Sequence, residues 1–478
     1  MHHTLSTLSI GLLGAGFCAN FDAVPPTEPP AAPLAQPAAS ATARTTPAGA
    51  PYGPRFFGIN EGLSAPARLV HNGRIPWEKQ LNELRADATL TRDIGAGVVR
   101  ANCHTYPFFN YMSARKDMDK TLQQADAYMA AIDAAGLETV MVVAPWPCIR
   151  TASHTDRYVP QDMDGYTDFV RTLVERYDAD GTDDMPGMSR PLVVAWEVDN
   201  EPDLHNTLPP RGAPRGFDPS RFGTPAEYAE VLRATSAAIR GADPSATVLI
   251  GGIYNPRHDK GRAFLDAVLA EEGAQEAFDV MSLHVYNGDN NLDAIEQTIA
   301  IAQAVAPGKP LWITEFGVSS DERKSWATED WQAQMVVALH AAAAVGGVER
   351  VFWHTLTDPP KTPNKRKMPF ASHSLHSTLV PSWEDPSGAG QRTRKPAGEA
   401  YTQLTAKMAT LREPLQPLPS RAGKAARSGS AVLVYWGSHT LQGGPWQVTN
   451  LRDGSTRTLD DGARVDAPAW AEPTENRP

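Results

Sequence analysis

The chain has 478 residues, 41% of them hydrophobic, and a formal net charge of -11 at pH 7. That length and apolar content suffice for one large α/β domain with a smaller appendage and exclude a chain that is mostly disordered. The acidic balance argues against a surface that grips nucleic-acid phosphates or anionic lipid, since both need clustered basic side chains, and a neutral or basic partner fits better.

Leu5 to Phe17 is an apolar stretch broken only by Ser, Thr and Gly, too short to span a membrane and followed by proline-rich sequence. Residues 1–19 therefore read as an export signal, which predicts a secreted or periplasmic protein with no membrane-spanning segment. Cys18 stands where a lipoprotein cysteine would, after Leu13-Gly14-Ala15-Gly16-Phe17, but Phe17 is bulkier than such signals prefer, so plain secretion and a lipid anchor on Cys18 both stay open. Residues 20–53, rich in Pro, Ala and Thr with almost no charge, have the composition of an extended tether.

From residue 54 to 412, short apolar runs alternate with amphipathic ones in the rhythm of parallel βα units. The expected strands are Arg55 to Asn60, Gly97 to Asn102, Glu138 to Ala144, Leu192 to Val198, Thr247 to Ile253, Val280 to Tyr286, Leu311 to Phe316 and Arg350 to His354. Between them the 3.6-residue period predicts helices over Trp77 to Asp93, Met118 to Ala134, Met163 to Tyr177, Pro225 to Gly241, Ala263 to Glu272, Leu292 to Val305 and Glu329 to Val345, with a last helix from Lys395-Pro396 to about Leu411. No strand carries a glycine-rich phosphate turn, so the eight units predict a (β/α)8 TIM barrel rather than an open doubly wound sheet, with catalytic groups at the strands' C-terminal ends.

Residues 413–472 change to short alternating strands, Ala431 to Trp436, Trp446 to Leu451 and Ser455 to Leu459, the last two joined by the hairpin signal Arg452-Asp453-Gly454. They predict a small β appendage packed on the barrel, followed by a tail over 473–478. Cys103 and Cys148 lie just past the second and third strands, neighbours in a barrel, so an oxidising compartment would allow one disulfide at the rim; two buried thiols are the alternative.

Two segments, Trp196-Glu197-Val198-Asp199-Asn200-Glu201-Pro202 and Trp312-Ile313-Thr314-Glu315-Phe316-Gly317, each end an apolar run with a carboxylate. Two acids at a fixed separation with different pKa values are what breaking a glycosidic bond requires. Strict alternation puts Glu197, Asp199 and Glu201 on one side of their strand and Asn200 on the other, so Asn200 and Glu201 reach one cleft only if the strand end bulges or twists.

With Asn200-Glu201-Pro202 ending the fourth strand, Thr314-Glu315-Phe316-Gly317 the seventh, His284-Val285-Tyr286 the sixth, Arg100 closing the second and Trp353 the eighth, the chain resembles the clan A retaining glycoside hydrolases. All of these are (β/α)8 barrels. The resemblance implies Glu201 as acid/base and Glu315 as nucleophile, with Arg100 and Tyr286 donating hydrogen bonds to Glu315. It further implies Asn200 at the sugar 2-hydroxyl, Trp353 as the subsite floor and His284 as a polar wall. His104 and Trp146, on neighbouring strand ends, are further candidates for flanking that subsite. The pattern is closest to family 39, with family 5 a near competitor; Asp199 departs from it, standing where several families carry an uncharged residue.

The first strand, Phe56-Phe57-Gly58-Ile59-Asn60, lacks the His-x-His of a metal hydrolase, so neither a metal nor any other cofactor is expected. The segment Pro359 to Arg394, with Lys361, Lys365, Arg366 and Lys367, reads either as a subsite wall for an acidic sugar or as a solvated loop. A non-catalytic cell-surface carbohydrate-binding protein on the same scaffold is the alternative; its marker would be a lost carboxylate, and neither is lost.

Overall fold

The computed structural model describes residues 50–60, 77–103, 109, 111–145, 158–207, 223–254, 256–286, 292–320, 326–358, 373–380, 385 and 390–474. Eight parallel strands form its largest sheet: β1 Phe57–Asn60, β2 Val98–Ala101, β3 Glu138–Val143, β4 Val193–Asn200, β5 Val248–Gly252, β6 Met281–Tyr286, β7 Leu311–Gly317 and β8 Arg350–His354. Each pairs with its sequence neighbours, β1 also pairs with β8, and bridges between Leu249 and Val280 and between Ile253 and Leu283 join β5 to β6 and close the barrel.

The helices between the strands start where the sequence offers caps. Asp117 accepts from the Lys120 N–H ahead of Met118–Ala134, and Thr224 and Glu227 form a reciprocal capping box ahead of Pro225–Ala242, with proline in its first turn. The helix Asp259–Ala270 begins four residues before the expected Ala263, because Asp259-Lys260-Gly261-Arg262 gives no apolar signal and His258 provides no side-chain cap.

Alternation along the strands sorts side chains into layers inside the barrel. Val98, Val140, Ala195, Leu249, Val280, Trp312 and Phe352 pack together as one apolar plug. Two residues further along six strands the interior turns polar: Asn60 follows Gly58, Arg100 follows Val98, Glu197 follows Ala195, Ser282 follows Val280, Thr314 follows Trp312 and His354 follows Phe352. The apolar layer is thus the base on which a buried polar layer stands, at the C-terminal end of the barrel.

After the barrel comes a second, antiparallel sheet of Gln416–Leu418, Ala422–Ser428, Ala431–Thr440, Ala469–Pro473, Trp446–Asn450 and Thr456–Leu459, with Arg464–Asp466 paired to Ala431–Thr440. One face of it, through Leu433, Tyr435, Leu451 and Trp470, joins the main core, while Val432, Val434, Trp446, Val448 and Val465 form a separate cluster. A small sheet of Thr357–Asp358, His376–Val380 and Gln391–Arg394 lies between β8 and the last helix, Pro396–Met408, in the sequence. Among the described residues no helix is long and apolar enough to cross a membrane.

Candidate active site

β4 and β7 both abandon regular alternation where they reach the rim. In β4, Asp199 and Glu201 take the left-handed backbone, with φ of 70° and 53°, and the Glu201 N–H donates to the Gly252 carbonyl at 3.0 Å. Asp199 tolerates that conformation because its short carboxylate accepts from the Asn200 N–H at 2.7 Å and from the Tyr158 hydroxyl. This twist brings Asn200 and Glu201 to one side. In β7 the register slips so that Ile313 faces Leu283 but Glu315 faces His284, leaving Thr314 as the extra residue of a bulge. Thr314 still reaches inward, and Glu315 turns to the same cavity.

One oxygen of Glu201, one of Glu315 and a ring nitrogen of His284 lie within 4.8 Å of one another. Glu201 and Glu315 are 8% and 9% exposed, enough for access from the rim yet largely out of bulk water. Tyr286 donates its hydroxyl to Glu315 Oε1, and Arg100 Nη1 stands 3.4 Å from Glu315 Oε2. His284 Nδ1 meets Glu201 Oε1 at 3.0 Å and Glu315 Oε2 at 3.8 Å. Burial pulls the His284 imidazole down to about 4, so the ring is neutral at ordinary pH and the contact with Glu201 carries a single proton. Its Nε2 packs against Gly252, where a Cβ would lie 2.1 Å away; glycine there is a steric requirement.

Arg100, fully buried, donates through Nε to Glu197 at 2.5 Å, through Nη1 to Asn60 Oδ1 at 2.9 Å and to Glu315, and through Nη2 to Asn200 Oδ1 at 2.9 Å. Asn102 Nδ2 also donates to Asn200 Oδ1, at 3.1 Å. Glu197, buried inside β4, accepts from Arg100, from the Gly252 N–H at 2.9 Å, from Ser282 Oγ at 2.9 Å and from Thr314 Oγ1 at 3.0 Å. Three uncharged donors and the Arg100 guanidinium thus satisfy this buried carboxyl group without water.

Arg100, Asn200, Glu201, His284, Tyr286 and Glu315 therefore share one cavity. Trp353 does not join them. It is fully buried on the outer side of β8, its ring stacked on His340 and edge-on to Phe316, and its indole N–H donates to the His373 carbonyl at 2.9 Å. The expected floor residue is a core residue, because Phe352 already occupies the inward position and alternation sends Trp353 toward the helices. Cys103 is buried with a free thiol that burial pushes well up, which at that end favours the buried-thiol alternative over the bridge; Cys148, His104, Trp146 and Cys18 lie outside the described residues. Glu197, Asn60 and His354 are site residues that strand-end motifs did not single out. A charge inside an apolar strand was the available signal for Glu197.

The trio of Glu201, His284 and Glu315 is also a donor set of the kind that could hold a metal ion, as is the more exposed group Glu175, Asp178 and Asp180.

Residues 224–378 match the family model described as glycosyl hydrolase catalytic core. The fold is similar to a GH39 beta-xylosidase from Caulobacter crescentus, with a TM-score of 0.55 and 18% identity over 89% of this chain and 98% of that one. It is similar to GH5_18 from Streptomyces cattleya, solved in complex with GlcNAc, with a TM-score of 0.54 and 19% identity over 78% of this chain and 83% of that one. AbfB, a family 51 alpha-L-arabinofuranosidase from Bifidobacterium longum, gives a TM-score of 0.54 at 13% identity over 88% and 96% of the two chains. No curated protein sequence matches.

Proposed function

We propose that this chain, a glycosidase by its catalytic core, is an exported clan A enzyme nearest family 39 that cleaves poly- or oligosaccharides by double displacement with retention of configuration. The observation that carries this reading is the approach of Glu201 and Glu315, with ligand oxygens no more than 4.8 Å apart. Carboxyl groups about 5–5.5 Å apart suit direct attack on the anomeric carbon, whereas inversion needs about 6.5–9.5 Å to admit a water.

Glu315 is the nucleophile. The Tyr286 hydroxyl and the Arg100 guanidinium donate to it and aim it, and Tyr286 must release part of that bond as the glycosyl–enzyme ester forms. Glu201 is the acid/base: it protonates the leaving oxygen, then takes a proton from the water that hydrolyses the ester. Neutral His284, 3.0 Å from Glu201, holds the carboxyl in place without adding charge. Asn200, its Oδ1 occupied by Arg100 and Asn102, offers its Nδ2 hydrogens to the sugar 2-hydroxyl.

The test is trapping. Activated 2-deoxy-2-fluoro glycosides of xylose, glucose and mannose, in both anomeric forms, should label the enzyme once per chain, with the adduct on the peptide containing Glu315. An adduct elsewhere, or inverted product by NMR from a turned-over aryl glycoside, would overturn the reading.

A further inference from the structure

β8 delivers its cavity residue one position later than its tryptophan. Phe352 belongs to the apolar plug, so the next inward side chain is His354, which is 5% exposed and lies opposite Asn60 in the β1–β8 register. Its ring stands edge-on to Tyr286, with centroids 6.3 Å apart. Tyr286 is the residue that donates to Glu315.

The hydrogen-bond directions between His354 and Glu315 follow from which groups can only donate. Arg100 has no acceptor, so the Asn60 atom 2.9 Å from its Nη1 is the amide oxygen, and Asn60 Nδ2 is the atom that faces His354 Nδ1 at 3.0 Å. Nδ2 can only donate, so His354 Nδ1 must accept and the neutral ring carries its proton on Nε2. The acceptor on His354 thereby fixes which way the Asn60 amide is turned. Reversing that amide would set its NH2 group against the Arg100 guanidinium, the same group that holds Glu315.

We propose that His354 is a positioning residue for the nucleophile, acting through Asn60 on Arg100. It rests on Glu315 being the nucleophile. Its acceptor atom keeps the amide oxygen of Asn60 on Arg100, and Arg100 in register with Glu315, Asn200 and Glu197.

The rate at which the 2-deoxy-2-fluoro xylosides, glucosides and mannosides label Glu315 measures the nucleophile's attack directly. His354→Phe keeps a planar ring without an acceptor and should slow labelling roughly 10- to 100-fold, the scale of an Ångström-size misplacement of a reacting group. His354→Asn puts an oxygen about where Nδ1 stood and should restore most of the rate; His354→Gln places its polar group further out, near the Nε2 position, and should not. Asn60→Ala should cost as much as His354→Phe, and the double variant no more than either alone. Circular dichroism establishes which variants fold, and the Asn and Gln variants carry the test if His354→Phe does not. Labelling of His354→Phe at the wild-type rate, recovery by Gln but not Asn, or full additivity with Asn60→Ala overturns the proposal. A wild-type enzyme that turns over sugars but is never labelled overturns the retaining mechanism instead, and this proposal with it.

Discussion

Glu197, buried inside β4, accepts hydrogen bonds from Arg100, Gly252, Ser282 and Thr314. A carboxylate moved from water into a protein interior loses several kcal/mol of solvation, which one ion pair does not reliably offset. Three uncharged donors and the Arg100 guanidinium meet the need here, and the pairing leaves Arg100 with only part of its charge to spend on Glu315. Tyr286 is then the closer partner of Glu315, and its bond can weaken as negative charge leaves the carboxylate. The two acids should separate in kinetics. Glu315→Ala removes the proposed nucleophile and is expected to abolish turnover of every substrate. Glu201→Ala removes the proposed proton donor, so kcat/KM should fall roughly 10²- to 10⁴-fold for glycosides with poor leaving groups and much less for 2,4-dinitrophenyl glycosides, which depart without protonation. Equal losses on both substrate types, measured at one pH, would remove Glu201 from the acid role.

At the scale of the element, the site depends on two strands that stop behaving as strands at their last residues. The end of β4 holds consecutive side chains to one side through the left-handed residue Asp199, and Asp is among the few types that occupy that region with modest strain. Asp199→Asn should keep the turn, losing one of two acceptors and about 1 kcal/mol. Asp199→Val puts a β-branched residue at φ 70° and removes both acceptors, at a cost of about 1–3 kcal/mol for the strain alone. The Val variant should melt lower and lose kcat/KM as Asn200 and Glu201 turn from the cleft; unchanged melting and activity would mean that the twist does not depend on Asp199. The need for a bulge or twist at this strand was legible from the sequence, because two neighbouring residues cannot otherwise face one cavity. The matching bulge at Thr314 was not, since Trp312-Ile313-Thr314-Glu315 reads as an uninterrupted strand. The eight strands were legible as short apolar runs because both their faces are buried, and the helices Trp77–Asp93, Met118–Ala134 and Leu292–Val305 because burial on one side imposes a period. The inward side of β8 was missed by taking Trp353 as its functional end, although Phe352 and His354 share a side. The strand Ala422–Ser428, Ala-Gly-Lys-Ala-Ala-Arg-Ser, escaped for the opposite reason: it has almost no apolar alternation and is held by pairing with Ala431–Thr440.

Across the whole molecule, barrel and appendage are one packed body at their junction. Trp470, fully buried, lies between Leu433 and Thr449 in the antiparallel sheet and belongs to the same core as the barrel's helices. Tyr52, ahead of β1, ties the two together: its hydroxyl accepts from the Leu415 N–H at 2.9 Å and donates to the Ala344 carbonyl at 3.4 Å. Lys407 to Glu472, at 2.8 Å, and Lys424 to Glu296 add ion pairs between the two parts, each half-exposed and worth little alone. A shared apolar core couples two parts more strongly than such pairs, because neither part can open without exposing the other's buried surface. Trp470→Ala should therefore cost about 3–5 kcal/mol, the usual range for emptying a large aromatic site, and that loss should fall on the entire chain. Thermal melting followed by circular dichroism and by loss of aryl-glycosidase activity should shift to lower temperature together, as a single transition. If the variant instead loses β signal in an early step while activity survives to the wild-type temperature, the appendage unfolds on its own and the barrel stands without it.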